Sequence, residues 1–138
     1  MVKTTLIELD TVGFCDIRDI TSELELKMKD SGLKSGVITV FVPGATGAVT
    51  TIEFEDGNVR DFKAFWEKII PKDEFYAHNA RWGDGNGFSH IRASVLGPSL
   101  SIPFVEGKLT LGTWQQVIFI DFDNRRRSRT IVVQLMGE

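Results

Sequence analysis

One cysteine, two histidines, one tyrosine and four prolines are spread over 138 residues, and each scarcity removes a class of function. Cys15 has no partner for an internal disulfide or a thiolate metal cluster, which points to a reducing, cytoplasmic setting. It reads as a small buried hydrophobe. No apolar run approaches the roughly 20 residues that a membrane-spanning helix needs. Lys3 is followed by a short alternating segment rather than a long apolar one, so no secretory leader is expected. Sixteen basic against nineteen acidic residues leave a formal charge of -3, which supplies no electrostatic case for nucleic acid or an anionic membrane. Repeats, low-complexity linkers and internal breaks are also missing, so residues 1–138 are expected to form one domain.

What is present is apolar bulk. Ten phenylalanines and three tryptophans supply a core or an aromatic interface. Alternation predicts strands over Lys3–Asp10 and Phe14–Ile17, separated by a turn at Thr11-Val12-Gly13. Ser22 and Glu25 have capping-box spacing, Ile20, Leu24 and Met28 repeat every four residues, and Gly32 stops that helix. Gly36–Val42 is a β-branched strand ended by Pro43. After the loop Gly44–Gly47, Ala48–Phe54 reads as another strand, and Asp56-Gly57 as a turn. Val59, Phe62, Phe65, Trp66, Ile69 and Ile70 then form one helical stripe, stopped by Pro71, that fits a core helix. Ile91–Leu96 reads as a helix ending at Gly97-Pro98. Leu100–Val105, with Pro103 inside, fits an edge or bulged strand. Lys108–Leu111 and Thr113–Asp121 are further strands. Asp123-Asn124 reads as a hairpin turn into Arg129–Leu135. The fold class is α+β: antiparallel strands with about three helices.

Both histidines bracket the segment His78–His90, which also carries Arg81, Asp84 and Asn86 and alternates Gly83, Gly85 and Gly87 with polar residues. Glycine lets backbone approach a ligand closely, and imidazole changes charge near neutral pH. Two histidines with a carboxylate from Asp84 or Glu53 suffice in number for a zinc or iron site. Their spacing, however, matches no compact ligand motif. In the plainer reading His90 is a satisfied helix-start residue, His78 lies at the surface, and Asp84-Gly-Asn-Gly87 is a tight turn. Arg125–Arg129 reads as the solvated tip of a hairpin.

Three blocks carry a resemblance. They are Val37-Ile-Thr-Val-Phe-Val-Pro43 with Val49-Thr50 and Glu53; Asp84-Gly-Asn-Gly87 with His90, Ala93-Ser94, Leu96-Gly97 and Ser99; and Leu111-Gly-Thr-Trp-Gln115 with Arg125–Arg127 and Gly137-Glu138. In this order, over nearly the whole chain, they resemble the YjbQ-like (UPF0047) family. The resemblance implies a homotrimer built on a β-sandwich of seven to eight strands decorated with helices. It also implies weak secondary thiamine-phosphate synthase activity, a transferase reaction joining thiazole phosphate to pyrimidine pyrophosphate, in a family whose role is poorly defined.

For that chemistry the candidate catalytic residues are His90, Asp84 and Glu53. Arg81, His90 and the backbone N–H groups of Gly85 and Gly87 would hold phosphate oxygens beside His78 and Asn86. Asp84 or Glu53 would hold Mg²⁺ through water, and Trp114 would offer a flat face to a ring; its plainer reading is a core or interface aromatic. Two rivals stand beside this: a non-enzymatic trimeric binder of small or phosphorylated molecules, and a metal-dependent hydrolase with Zn²⁺ on His78 and His90. Against the family pattern, Gly44 and Phe88 stand where members carry histidine, so one chain cannot build a three-histidine site.

Overall fold

Strand alternation builds two sheets, and the connections between them decide where everything else lies. The computed structural model describes residues 1–138. In chain order it forms β1 (Val2–Thr11), β2 (Asp16–Asp19), α1 (Thr21–Ser31), β3 (Gly36–Phe41), β4 (Gly47–Ile52), α2 (Asp56–Ile69), α3 (Ala77–Trp82), α4 (Gly87–Leu96), β5 (Ser99–Val105), β6 (Lys108–Leu109), β7 (Gln116–Asp121) and β8 (Arg127–Gly137). The α+β class holds, with eight strands, all paired antiparallel, and four helices. A five-stranded sheet has the order β1-β8-β3-β5-β6, and a three-stranded sheet the order β2-β7-β4.

The larger core fills the space between the sheets. Ile38, Val40, Ile131 and Val133 of the five-stranded sheet share it with Val49, Val117 and Phe119 of the smaller one, and with Leu24 and Met28 of α1. A second core covers the other face of the smaller sheet, where Ala48, Ile118 and Ile120 meet Trp66 of α2 and Ala93 of α4. β7 is therefore buried on both faces, which is why Val117–Ile120 is an unbroken apolar run rather than an alternating one. The outer face of the larger sheet carries no layer.

Four expectations need correction. Asp123-Asn124 is not a hairpin turn, because β7 and β8 belong to different sheets. Asp56-Gly57 is the first turn of α2, because the Glu55 carboxylate accepts from the N–H groups of Gly57 and Asn58 and pulls the helix start forward. Those two hydrogen bonds also hold the Glu55 carboxyl below its ordinary pKa. At α1 the capping box is not used; Asp19 accepts instead from the N–H and hydroxyl of Thr21. The segment His78–His90 is mostly helical, with α3 and α4 flanking a loop of only Gly83–Asn86. The left-handed Gly83, whose N–H returns to the Asn79 carbonyl, ends α3 there.

The connections β1–β2, β3–β4 and β7–β8 all pass from one sheet to the other, and all do so at the same end. The α4–β5 connection joins them: Pro98 accepts from the Val42 N–H, and Gly97 from the Val49 N–H. Crossings converge on this corner. At the opposite end of the larger sheet, a Cβ on Gly36 would fall on the Met136 carbonyl of β8. Gly36→Ala is expected to cost about 1–3 kcal/mol, read as a lowered urea midpoint at unchanged slope.

Candidate functional site

A buried polar network holds the corner. Arg129 of β8 reaches across to Asp121 of β7 with two hydrogen bonds of 2.8 Å, joining the two sheets through a bidentate pair. Asp121 also accepts from the Thr11 hydroxyl at 2.6 Å and from the Asp123 N–H. Asp123 accepts from Thr46 at 3.0 Å, Arg127 at 2.7 Å and the Asn86 side-chain amide at 3.2 Å. Both carboxylates are fully buried. Burial alone would push the Asp123 pKa up; hydrogen bonds from Asn124, Asn86 and Thr46, with the charge of Arg127, outweigh it and hold the carboxyl below its ordinary value.

Resting on this network is the histidine pair. His78 lies on α3 and His90 on α4, and the loop between folds their rings together, with centroids 4.4 Å apart and planes tilted by 39°. Asn79 fastens the two helices, its carbonyl oxygen accepting from the Gly87 N–H at 2.8 Å. Asn124 anchors the loop by donating to the Asp84 carbonyl at 2.7 Å. The Asp84 carboxylate stands 3.4 Å from His78 Nδ1, in ion-pair range but too poorly aligned for a hydrogen bond. Burial, then the neighbouring His78, lowers the His90 pKa below 6.5, against the opposing pull of Asp123, Asp84 and the Ala45 backbone. His90 is therefore mainly a neutral imidazole at pH 7, able to take up a proton. Two buried polar atoms at the site have no hydrogen-bond partner: His78 Nδ1 and Asn86 Oδ1.

Of the residues singled out in the sequence, the fold gathers His78, His90, Asp84 and Asn86. Gly85 stays in the exposed loop in a left-handed conformation. The Gly87 N–H is already taken by Asn79, and a Cβ at Gly87 would strike Tyr76, so this glycine serves packing rather than a phosphate. Arg81 is exposed, its guanidinium over the Trp82 ring. Glu53 and Trp114 lie elsewhere. Glu53 follows the far end of β4 and Trp114 precedes β7 there, about six residues, or roughly 20 Å, from the corner. Trp114 is 72% exposed.

No three His, Cys, Asp or Glu side chains converge into a metal-holding group. Sequence reading missed Thr46, Asp121, Asp123, Arg127 and Arg129. Arg125 and Arg126 are solvated as expected, but Arg129 is buried and Arg127 is bonded to Asp123. A signal was available: Val117-Ile-Phe-Ile-Asp-Phe-Asp123 puts two carboxylates in a run otherwise suited to a core, and buried carboxylates need cationic partners.

A sequence profile described as UPF0047 protein YjbQ-like matches residues 5–138. The chain belongs to the UPF0047 family. It is 36% identical over 129 residues to a UPF0047 protein of Archaeoglobus fulgidus, covering 94% of this chain and 98% of that one. It is 31% identical to the UPF0047 protein YugU of Bacillus subtilis, covering 99% and 100%. Among solved structures, a hypothetical protein from Aeropyrum pernix superposes with a TM-score of 0.91 at 30% identity, covering 99% of both chains. A YjbQ/UPF0047 protein from Clostridium acetobutylicum gives 0.88 at 33%, covering 96% of this chain and 99% of that one.

Gly44 and Phe88, where the resemblance implies histidine, sit in different surroundings. Gly44 lies in the β3–β4 loop with φ of 125°, and a Cβ there would touch Arg129, so it borders the corner. Phe88 sits two residues before His90 on α4, on a different face, buried beneath the Arg92 guanidinium.

Removing one partner of the buried pair leaves the other charge unpaired. Arg129→Met is expected to destabilise the protein by about 3–5 kcal/mol, measured by urea denaturation at pH 7. Asp123 has a folded pKa below its unfolded one, so its contribution is complete above the unfolded value near 4 and is lost as pH falls through the folded value. Asp123→Asn should accordingly flatten the loss of stability below about pH 4. For His90, whose lowered pKa favours the neutral form, an NMR titration of the ring is expected to give a midpoint below 6.5.

Proposed function

We propose that this UPF0047 protein binds a small phosphorylated molecule at the histidine pair and carries out transferase chemistry on it. The observation that carries this reading is the pair itself: a neutral His90 against His78, with the Asp84 carboxylate beside it.

The finer form of the proposal is thiamine-phosphate synthesis. There the thiazole nitrogen lone pair forms a bond to the pyrimidine methylene carbon, the bond from that carbon to pyrophosphate oxygen breaks, and its electron pair leaves with pyrophosphate. Imidazole N–H groups of His78 and His90, and the free Gly85 N–H, would donate to the departing oxygens, stabilising charge as it develops. The carboxylate of Asp84 would favour the cationic pyrimidine methylene. Mg²⁺ would arrive with the pyrophosphate as part of the substrate, with no dedicated ligand set. The lone thiol supports a cytoplasmic home.

A homotrimer is part of the same proposal. On the uncovered face of the larger sheet, Leu6, Val132 and Phe41 lie in register across three strands, as do Val2, Met136 and Val37. Leu6 and Phe41 are 47% and 43% exposed, and the two apolar rows flank a polar one of Thr4, Gln134 and Thr39. Such a patch suits burial against another copy.

Mixing the protein with thiazole phosphate, pyrimidine pyrophosphate and Mg²⁺ is expected to yield thiamine phosphate, at a rate reduced at least about 100-fold by His90→Ala. A rate untouched by that change removes the histidine pair from the chemistry. Tight binding of either precursor without turnover favours the non-enzymatic binder. Light scattering is expected to give three chains per particle, and fewer for Phe41→Asp.

A further inference from the structure

The turn between β1 and β2 carries Gly13, Phe14 and Cys15 with φ of 80°, 53° and 64°. Three successive residues in the left-handed region, two of them with side chains, form a strained arrangement that folded proteins retain where surroundings over-determine it, often at ligand clamps. The corner supplies that constraint. The Phe14 N–H donates to the Asp123 carbonyl at 2.6 Å, and any Cβ on Gly13 would collide with the same carbonyl and with that of Arg125. Phe14 is thereby held outward, about half exposed, as a wall shared by two cavities.

The larger cavity, about 530 Å³, extends from Phe14 to Phe75, Asn79 and Gly85. The smaller, about 320 Å³, reaches Cys15, Lys63 and Arg92. Phe14, Lys72 and Phe88 line both, so the two adjoin. Each volume falls in the range, roughly 300–1,000 Å³, that small organic ligands occupy. Their charges differ. In the smaller cavity Arg92 is neutralised by Glu67 at 3.0 Å, whereas Lys63 and Lys72 form no ion pair, and the Lys72 ammonium stands 5.2 Å over the Phe14 ring. The larger cavity has Asp73 and Glu74 in its wall. Burial pushes the Cys15 thiol up to about 11, so it is a neutral wall atom rather than a nucleophile.

We infer that the joined cavities bind a planar aromatic molecule with an anionic group at one end and an amine at the other. The anion meets Lys63 and Lys72, the ring packs against Phe14 and Phe75, and the amine faces Asp73 and Glu74. This site is separate from the histidine pair, although both touch one loop: Gly85 and Asn124 line the larger cavity, and Asn124 holds the Asp84 carbonyl.

O-phosphotyramine, with a phosphate at one end of its ring and an amine at the other, serves as the probe, titrated calorimetrically into the full chain at pH 7. Saturable binding of one molecule per chain is expected, weakened at least fivefold by Lys63→Gln, at least fivefold by Phe14→Asn, and at least threefold when tyramine, which lacks the phosphate, is used. Asparagine tolerates the left-handed backbone, so Phe14→Asn removes the ring without disturbing the turn, and circular dichroism checks that it folds. His90→Ala should leave this binding unchanged, which separates the site from the proposed transferase centre. Absence of saturable heat overturns the inference. So does binding that survives both cavity substitutions, or that is lost in His90→Ala alone.

Discussion

The bidentate contact between Arg129 and Asp121 is the constraint on which the rest of the structure depends. It lies where the chain leaves the smaller sheet for the larger one, and both partners are buried. An isolated buried charge is costly to hold, so each partner fixes the position of the other. Thr11 brings the end of β1 to the same carboxylate. Through Asp123 the network gathers the β3–β4 loop, Arg127 and the start of α4. Four chain crossings are thereby held at one end of a sandwich whose apolar core would by itself leave their geometry loose.

Both sites described above grow out of that corner. On one side Asn86, tied to Asp123, sets the loop that folds His78 against His90. On the other, the Asp123 carbonyl captures the Phe14 N–H and holds a strained turn open over two cavities. A single short segment, Phe122–Asn124, thus supplies side chains to one site and backbone to the other. Function at this corner rests on rigidity: the carboxylates are buried and paired, and the histidine rings stand on two helices fastened by Asn79.

Much of the fold was legible along the chain because its signals are local. The β-branched run Gly36–Val42, the stripe from Val59 to Ile70 and the long closing strand each declare themselves through periodicity and bulk. Boundaries failed where a side chain outside the window intervened: the Glu55 carboxylate lengthened α2, Asp19 displaced the capping box, and the left-handed Phe14 and Cys15 delayed β2. The histidine segment was found through its glycines and its two imidazoles. Its helical character was not, since α3 gains its stability from tertiary contacts rather than from its own six residues.

By itself the sequence determined the α+β class, the eight strands, three of the four helices and the segment that carries the histidines, because each rests on spacing within one segment. The UPF0047 membership likewise follows from blocks of residues read in order. Only the tertiary structure decided that β7 and β8 lie in different sheets, that Arg129 is buried rather than solvated, and that Glu53 and Trp114 stand at the far end of the smaller sheet from the corner. These depend on which surfaces meet across the core. Such pairings are chosen by charge burial and packing between residues far apart in the chain, which no local pattern records.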